Sequence, residues 1–281
     1  MSKLSGLLST ALFVCLFVVA SAAAAPQPEK IPPLNGVSIG IGAEYESGDY
    51  GTDSRVETWR IPLLIDWSPT AWLGLSFEIP YLMQTGSSET LVLGGGGMSP
   101  RGGRMGSGTT AQSQTLTSSR TESGPGDITL DADLQLLRET DARPRLSARL
   151  YFKLPTADAD KGLGTGEFDW GAGLATRKIL GDWSLQAKAL YIQPGTSPLY
   201  DPSAYWDWSA GLDYLGGLRL RPGLTLSGGT AAFSTEDDPL EAGARLGIMG
   251  QGPVSFSLYL SHGLSDASPE WGSGIICYFD F

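Results

Sequence analysis

Histidine occurs once in this 281-residue chain and cysteine twice. Asparagine is as scarce as histidine, Asn35 being its sole instance. Zinc sites, haem attachment and Cys–His nucleophile pairs need several such residues at set spacings, and none of those spacings is present. Cys15 lies in the N-terminal leader, so the mature chain keeps Cys277 alone and has no internal disulfide. After the first twenty-five residues no apolar run is long enough to cross a bilayer as a helix. Basic charge is also short. Without Lys3 of the leader, 18 basic residues face 30 acidic ones, with no basic stripe to neutralise phosphates, so no nucleic-acid partner is expected.

The opening stretch "MSKLSGLLSTALFVCLFVVASAAAA" has a basic start, an apolar middle and a small-residue end, the layout of a secretory signal. The reading is a signal peptide over 1–24, cut after Ala24, and a short N-terminal segment over 25–34. Bulky Val14 before Cys15 argues against a lipoprotein cleavage there.

What the chain does have is alternation. In "GVSIGIGAEYE", Val37, Ile39, Ile41, Ala43 and Tyr45 alternate with Ser38, Gly40, Gly42, Glu44 and Glu46. "GDITLDADLQL" sets Ile128, Leu130, Ala132, Leu134 and Leu136 against Asp127, Thr129, Asp131, Asp133 and Gln135. Period two marks half-buried strands, and about twelve such runs occur, near 36–46, 55–67, 71–82, 126–138, 144–154, 166–178, 183–193, 204–215, 223–233, 239–249, 254–262 and 271–281. Their connections alternate between short ("SPTA", "ILGD", "GQGP") and mostly longer ("PTADADKGLGT", "STEDDP"). Strands joined this way run up and down, with two unlike ends.

A soluble sandwich would alternate too, but its exposed face would carry few glycines. Here the polar face is rich in Gly, Ser and charge of both signs, which suits a crowded interior. The apolar face ends in aromatics. Tyr45, Trp59, Tyr81, Trp170, Tyr191, Trp206, Phe233 and Trp271 fall toward the long loops, while Trp67, Trp183, Tyr214, Phe279 and Phe281 fall toward the tight turns. Two aromatic belts around an aliphatic band are what a bilayer selects. The expected fold is therefore all-β, a transmembrane up-and-down antiparallel barrel of about 12 strands over 35–281, placed in the cell outer membrane of a Gram-negative envelope. Residues 83–125, poor in apolar side chains, are expected as a long Gly/Ser-rich extracellular loop, either folded over the mouth or lying on the surface.

The last strand ends on Phe281, with Phe279, Cys277 and Ile275 on the lipid side. It must zip to the first strand, since no backbone edge survives unpaired in hydrocarbon. A terminal Phe on such a strand resembles the signal read by the barrel-assembly machinery, an expected folding partner alongside outer-membrane lipid.

Inward positions carry the candidate pore lining: Arg60, Asp66, Glu78, Asp127, Asp131, Asp133, Arg145, Arg149, Lys153, Glu167, Asp169, Arg177 and Arg245. Across the hairpin joining the fourth and fifth strands, Asp133 is expected opposite Arg149, with Asp131 and Asp127 near Arg149 and Lys153. Such walls either polarise a narrow conduit or satisfy one another as ion pairs. No catalytic, metal or cofactor site is expected. His262 faces lipid at the end of its strand, and the residue two positions on, where outer-membrane phospholipases have Ser, is Leu264. "DADKG" (Asp158, Asp160, Gly162) lacks the further carboxylate and glycine of a calcium loop.

From "GPGDITLDADLQLL" through "LYFKLPTADADKGLGTGEFDWGAGLATRK" to "SHGLSDASPEW", roughly residues 124 to 281, the chain resembles the "meta-pathway of phenol degradation" family of outer-membrane transporters, or an allied family of unknown function. Gly126 and Asp127, the "KLPT" end and the "LGTGEFDWGAGL" run carry the likeness; Ala157 departs from it, standing where members have Gly. The resemblance implies passive passage of small, apolar or aromatic molecules. The alternative is a non-transporting structural or surface-binding barrel.

Overall fold

The computed structural model describes residues 36–50, 55–87, 119–196, 201–217, 219–234 and 236–281, with four short strand segments between 92 and 110. The leader and the 25–34 segment lie outside these. Twelve strands form the wall: β1 (Val37–Gly48), β2 (Val56–Thr70), β3 (Leu73–Ser87), β4 in two pieces (Ser119–Pro125 and Ile128–Leu137), β5 (Arg145–Leu154), β6 (Asp169–Leu180), β7 (Trp183–Gln193), β8 (Tyr205–Tyr214), β9 (Leu220–Gly229), β10 (Leu240–Met249), β11 (Val254–Gly263) and β12 (Trp271–Asp280). Each pairs antiparallel with its sequence neighbours, and β1 pairs β12, which closes the ring.

The seam runs from Ser38 opposite Asp280 to Ser47 opposite Trp271. At its lower end the Phe281 amide donates to the Val37 carbonyl at 2.8 Å, and the Val37 amide donates back at 3.4 Å. Closure leaves every strand with a partner on both sides, the condition hydrocarbon imposes.

Alternation sorts the side chains as the period-two pattern requires. Ile41, Ile61, Leu63, Leu174, Leu224, Leu260 and Ile275 stand exposed on the outer surface, whereas Glu44, Arg60, Glu78, Lys153 and Asp169 are buried within. Trp59, Tyr81, Trp170, Tyr191, Trp206 and Trp271 form the exposed belt by the long loops. Trp67, Trp183, Phe279 and Phe281 form the other, joined by Trp72 in a tight turn. Belt residues on adjacent strands touch: ring centroids are 5.0 Å apart for Tyr45 and Trp59, and 5.1 Å for Trp183 and Tyr214. Phe233 is a correction. It packs inside, against the buried Tyr151, Leu190, Ile192, Tyr205 and Ala232, because the chain turns inward after β9.

Three boundaries also differ. β3 continues to Ser87 and pairs with Ser119–Pro125, so both ends of the 83–125 segment are a hairpin stem rather than loop. Beyond it, the short strand Gly103–Met105 lies against β8 and β9, across the ring from its anchoring strands. β9 begins at Leu220, taking in Pro222, which reads in sequence as part of a turn. Over Leu220–Pro222 the strand is in register with β10 alone, and its pairing with β8 starts at Gly223. A proline is tolerated where one side of a strand is unpaired.

Glycine makes room inside. A Cβ on Gly42 would stand 2.5 Å from the Ile275 carbonyl and 2.6 Å from Ile276 Cγ1; one on Gly274 would stand 2.4 Å from the Tyr259 ring. Bulky inward side chains thus lie flat over glycines of the next strand.

Candidate functional site: the lined bore

The inward face carries charge in registered pairs. On β4 and β5, Asp133 stands directly opposite Arg149. The Arg149 guanidinium reaches Asp131 at 3.2 Å and Asp133 at 3.4 Å, while Arg145 binds the other Asp133 oxygen at 2.7 Å. Arg177 on β6 stands opposite Arg145. Across the ring, Arg245 of β10 reaches Asp213 of β8 at 2.5 Å, and Gln186 of β7 donates to the second oxygen of Asp213 at 3.0 Å. Asp66 accepts from the Ser76 hydroxyl at 2.6 Å.

Nearer the long loops, Arg60 of β2 lies between Glu78 on β3, which it contacts closely, and Glu44 on β1 at 3.9 Å. Lys153 of β5 reaches Asp169 of β6 at 2.7 Å and Asp127, just before the longer piece of β4, at 3.6 Å. Lys188 binds Asp207 at 3.0 Å. Glu167 is set apart from these: it belongs to the β5–β6 connection rather than to the wall.

Exposure divides this lining into two halves. By the tight turns the long side chains reach water, 30% exposed for Arg145 and 26% for Arg149. Higher up, Leu64, Glu78, Ser227, Glu241 and Ile276 are all at 1% or less. The bore is a wet vestibule below a closely filled section. In that section apolar and phenolic groups interleave with the ion pairs: Leu82, Tyr151, Leu190, Ile192, Tyr205 and Tyr259 are all buried. Counting charges on the inward face misses these residues. The signal for them was present as bulky apolar side chains on the otherwise polar face, all but Tyr205 opposite glycine on an adjoining strand.

Outside the bore, His262 stays exposed, its ring 4.5 Å from that of Trp271 and its Nδ1 2.6 Å from the Glu270 carbonyl oxygen. Asp158 caps a single 3₁₀ turn, Ala159–Lys161, by accepting from the Asp160 amide at 3.1 Å. No group of residues suited to a metal ion occurs among the described residues.

A closed twelve-strand ring, greasy without and charged within, girdled by aromatics at two levels, defines an outer-membrane β-barrel. Residues 68–275 match the family described as "Putative MetA-pathway of phenol degradation", and the chain belongs to that family. No curated protein matches it in sequence. Among solved structures it is similar to the COG4313 outer membrane channel from Pseudomonas putida F1, at 16% identity and a TM-score of 0.62, over 92% of this chain and 100% of that one. It is also similar to the NanC porin, at 9% identity and a TM-score of 0.50, over 86% and 98% respectively. At such identities the likeness is one of fold.

Proposed function

We propose that this barrel is a passive outer-membrane channel for small molecules, apolar and aromatic ones among them, working without a covalent step or an energy source. The observation that carries the reading is the two-part lining. Paired charges keep the wall polar with few uncompensated ions, and the Leu, Ile and Tyr side chains between them offer surface to an aromatic or apolar solute. The family's description, which names phenol degradation, supports the same class of permeant. The solved channel from Pseudomonas putida supports the mode of action by analogy.

The filled upper section favours a second reading, a barrel that binds or braces without conducting. Planar bilayers separate the two. Insertion of the purified protein should give discrete conductance steps in potassium chloride, reduced when phenol is added and occupies the bore. Intact barrels that never conduct, with or without loop-releasing substitutions, would sink the channel reading and leave the second.

A further inference from the structure

We infer that Lys153 is an ionic latch that seats the β5–β6 connection inside the mouth of the barrel; this rests on the channel reading for its consequence, though not for its geometry. The connection, residues 155–168, dips rather than loops freely. Gly162 and Gly166 both have φ of 70°. That left-handed conformation is costly for other residues, and at Gly162 it ends the 3₁₀ turn Ala159–Lys161. Between them Leu163 and Gly164 are buried, Leu163 to 1%, whereas Pro155, Thr156, Asp158, Ala159 and Asp160 are exposed. Leu163 rests against Gly124, which pairs with the inward-facing Leu82, so the dip lies on the bore side of the wall.

At its start the Thr156 hydroxyl donates to the Gly126 carbonyl at 3.0 Å and accepts from the Ile128 amide at 2.9 Å, and Lys153 and Asp127 hold the rest. Lys153 Nζ donates to Thr165 Oγ1 at 2.7 Å while keeping its pairing to Asp169. Asp127 Oδ1 accepts from the Ala157 amide at 3.0 Å, and its Oδ2 has no hydrogen bond, only the Lys153 ammonium at 3.6 Å. Gly164 lies so close to this carboxylate that a Cβ there would stand 2.6 Å from Asp127 Oδ2 and 2.6 Å from Ala157 Cβ. Asp169 in turn accepts from the Gly195 amide at 3.0 Å, so the same cluster also ties down the start of the β7–β8 connection.

One ammonium therefore compensates two carboxylates whose side chains, like its own, are at most 8% exposed. Removing it leaves two like charges in a dry site, and they are relieved only if the loop lifts and admits water. The buried Leu163 and the hydrogen bonds of Thr156 and Ala157 oppose that movement, but none of them compensates the charge of Asp127 and Asp169. The latch is thus the electrostatic barrier to unseating, and unseating widens the mouth for permeants.

The test uses the full barrel in detergent and in bilayers. Trypsin cleavage after Lys161, read by the new fragment beginning at Gly162, should be slow in wild type and faster by roughly tenfold or more in Lys153→Met. Lys153→Arg, which keeps the charge, should restore protection. Gly164→Val, which leaves Lys153 in place but denies the loop its seat, should behave like Lys153→Met and decides the matter should that variant not fold. Faster cleavage with larger conductance supports both latch and channel. Faster cleavage with no conductance in any variant supports the latch and overturns the channel. Cleavage at the wild-type rate in the folded variants overturns the latch, whatever the conductance.

Discussion

Arg60 shows how a single residue holds this interior. Its guanidinium is flanked by Glu44 and Glu78, all three buried. Arg60→Met leaves two carboxylates facing each other without water and should destabilise the barrel by about 3–5 kcal/mol, measured by urea titration in micelles. Adding Glu78→Leu should recover part of that loss, because an apolar pair needs no compensating charge. His262 makes the opposite case. Its ring is committed to Trp271 and its Nδ1 to a backbone carbonyl, and it faces out of the bore. Phospholipid hydrolysis by the purified protein should stay at the protein-free rate, and His262→Ala should leave it there. Which side each of these residues occupies was readable from alternation alone. That Leu163 and Phe233 point inward was not, since each depends on where a loop lands after its strand has ended.

At the scale of elements, alternation fixes the face and local irregularities fix the register. The turn between β4 and β5 pairs Thr140 with Arg143 and Leu137 with Leu146, and a one-residue shift between Leu146 and Ser147 then places Asp133 opposite Arg149. The start of β9 escaped because Pro222 looks like punctuation until the one-sided pairing beside it is known. Close packing over glycines makes a sharp prediction for the seam. Gly42→Leu drives a side chain into the Ile275 carbonyl and Ile276, and should lower the yield of closed barrel severalfold, scored by the fast-migrating unheated band on gels. The seam also ends at Phe281, which we propose is read by the assembly machinery. Deleting Phe281 should reduce barrel in the outer membrane of cells while refolding into micelles proceeds nearly as before. Equal loss in both settings would reduce that residue to a structural role.

The molecule as a whole carries its membrane address on its outer surface. Seven of its exposed aromatics are tryptophans, Trp59, Trp170, Trp206 and Trp271 at one level and Trp67, Trp72 and Trp183 at the other. Lipids brominated at graded depths should therefore quench two tryptophan populations lying about 25 Å apart, near opposite surfaces. A single population at mid-depth would contradict the girdles. The twofold alternation also governs how such a chain can change its length. One extra codon inside β6 would turn half of that strand's lipid-facing residues into the bore and its charges into the lipid, whereas the same codon in the connection after Gln193 is absorbed at the surface. Insertions and deletions inherited by descendants of this gene should accumulate in the outer connections, and those within strands should come in twos.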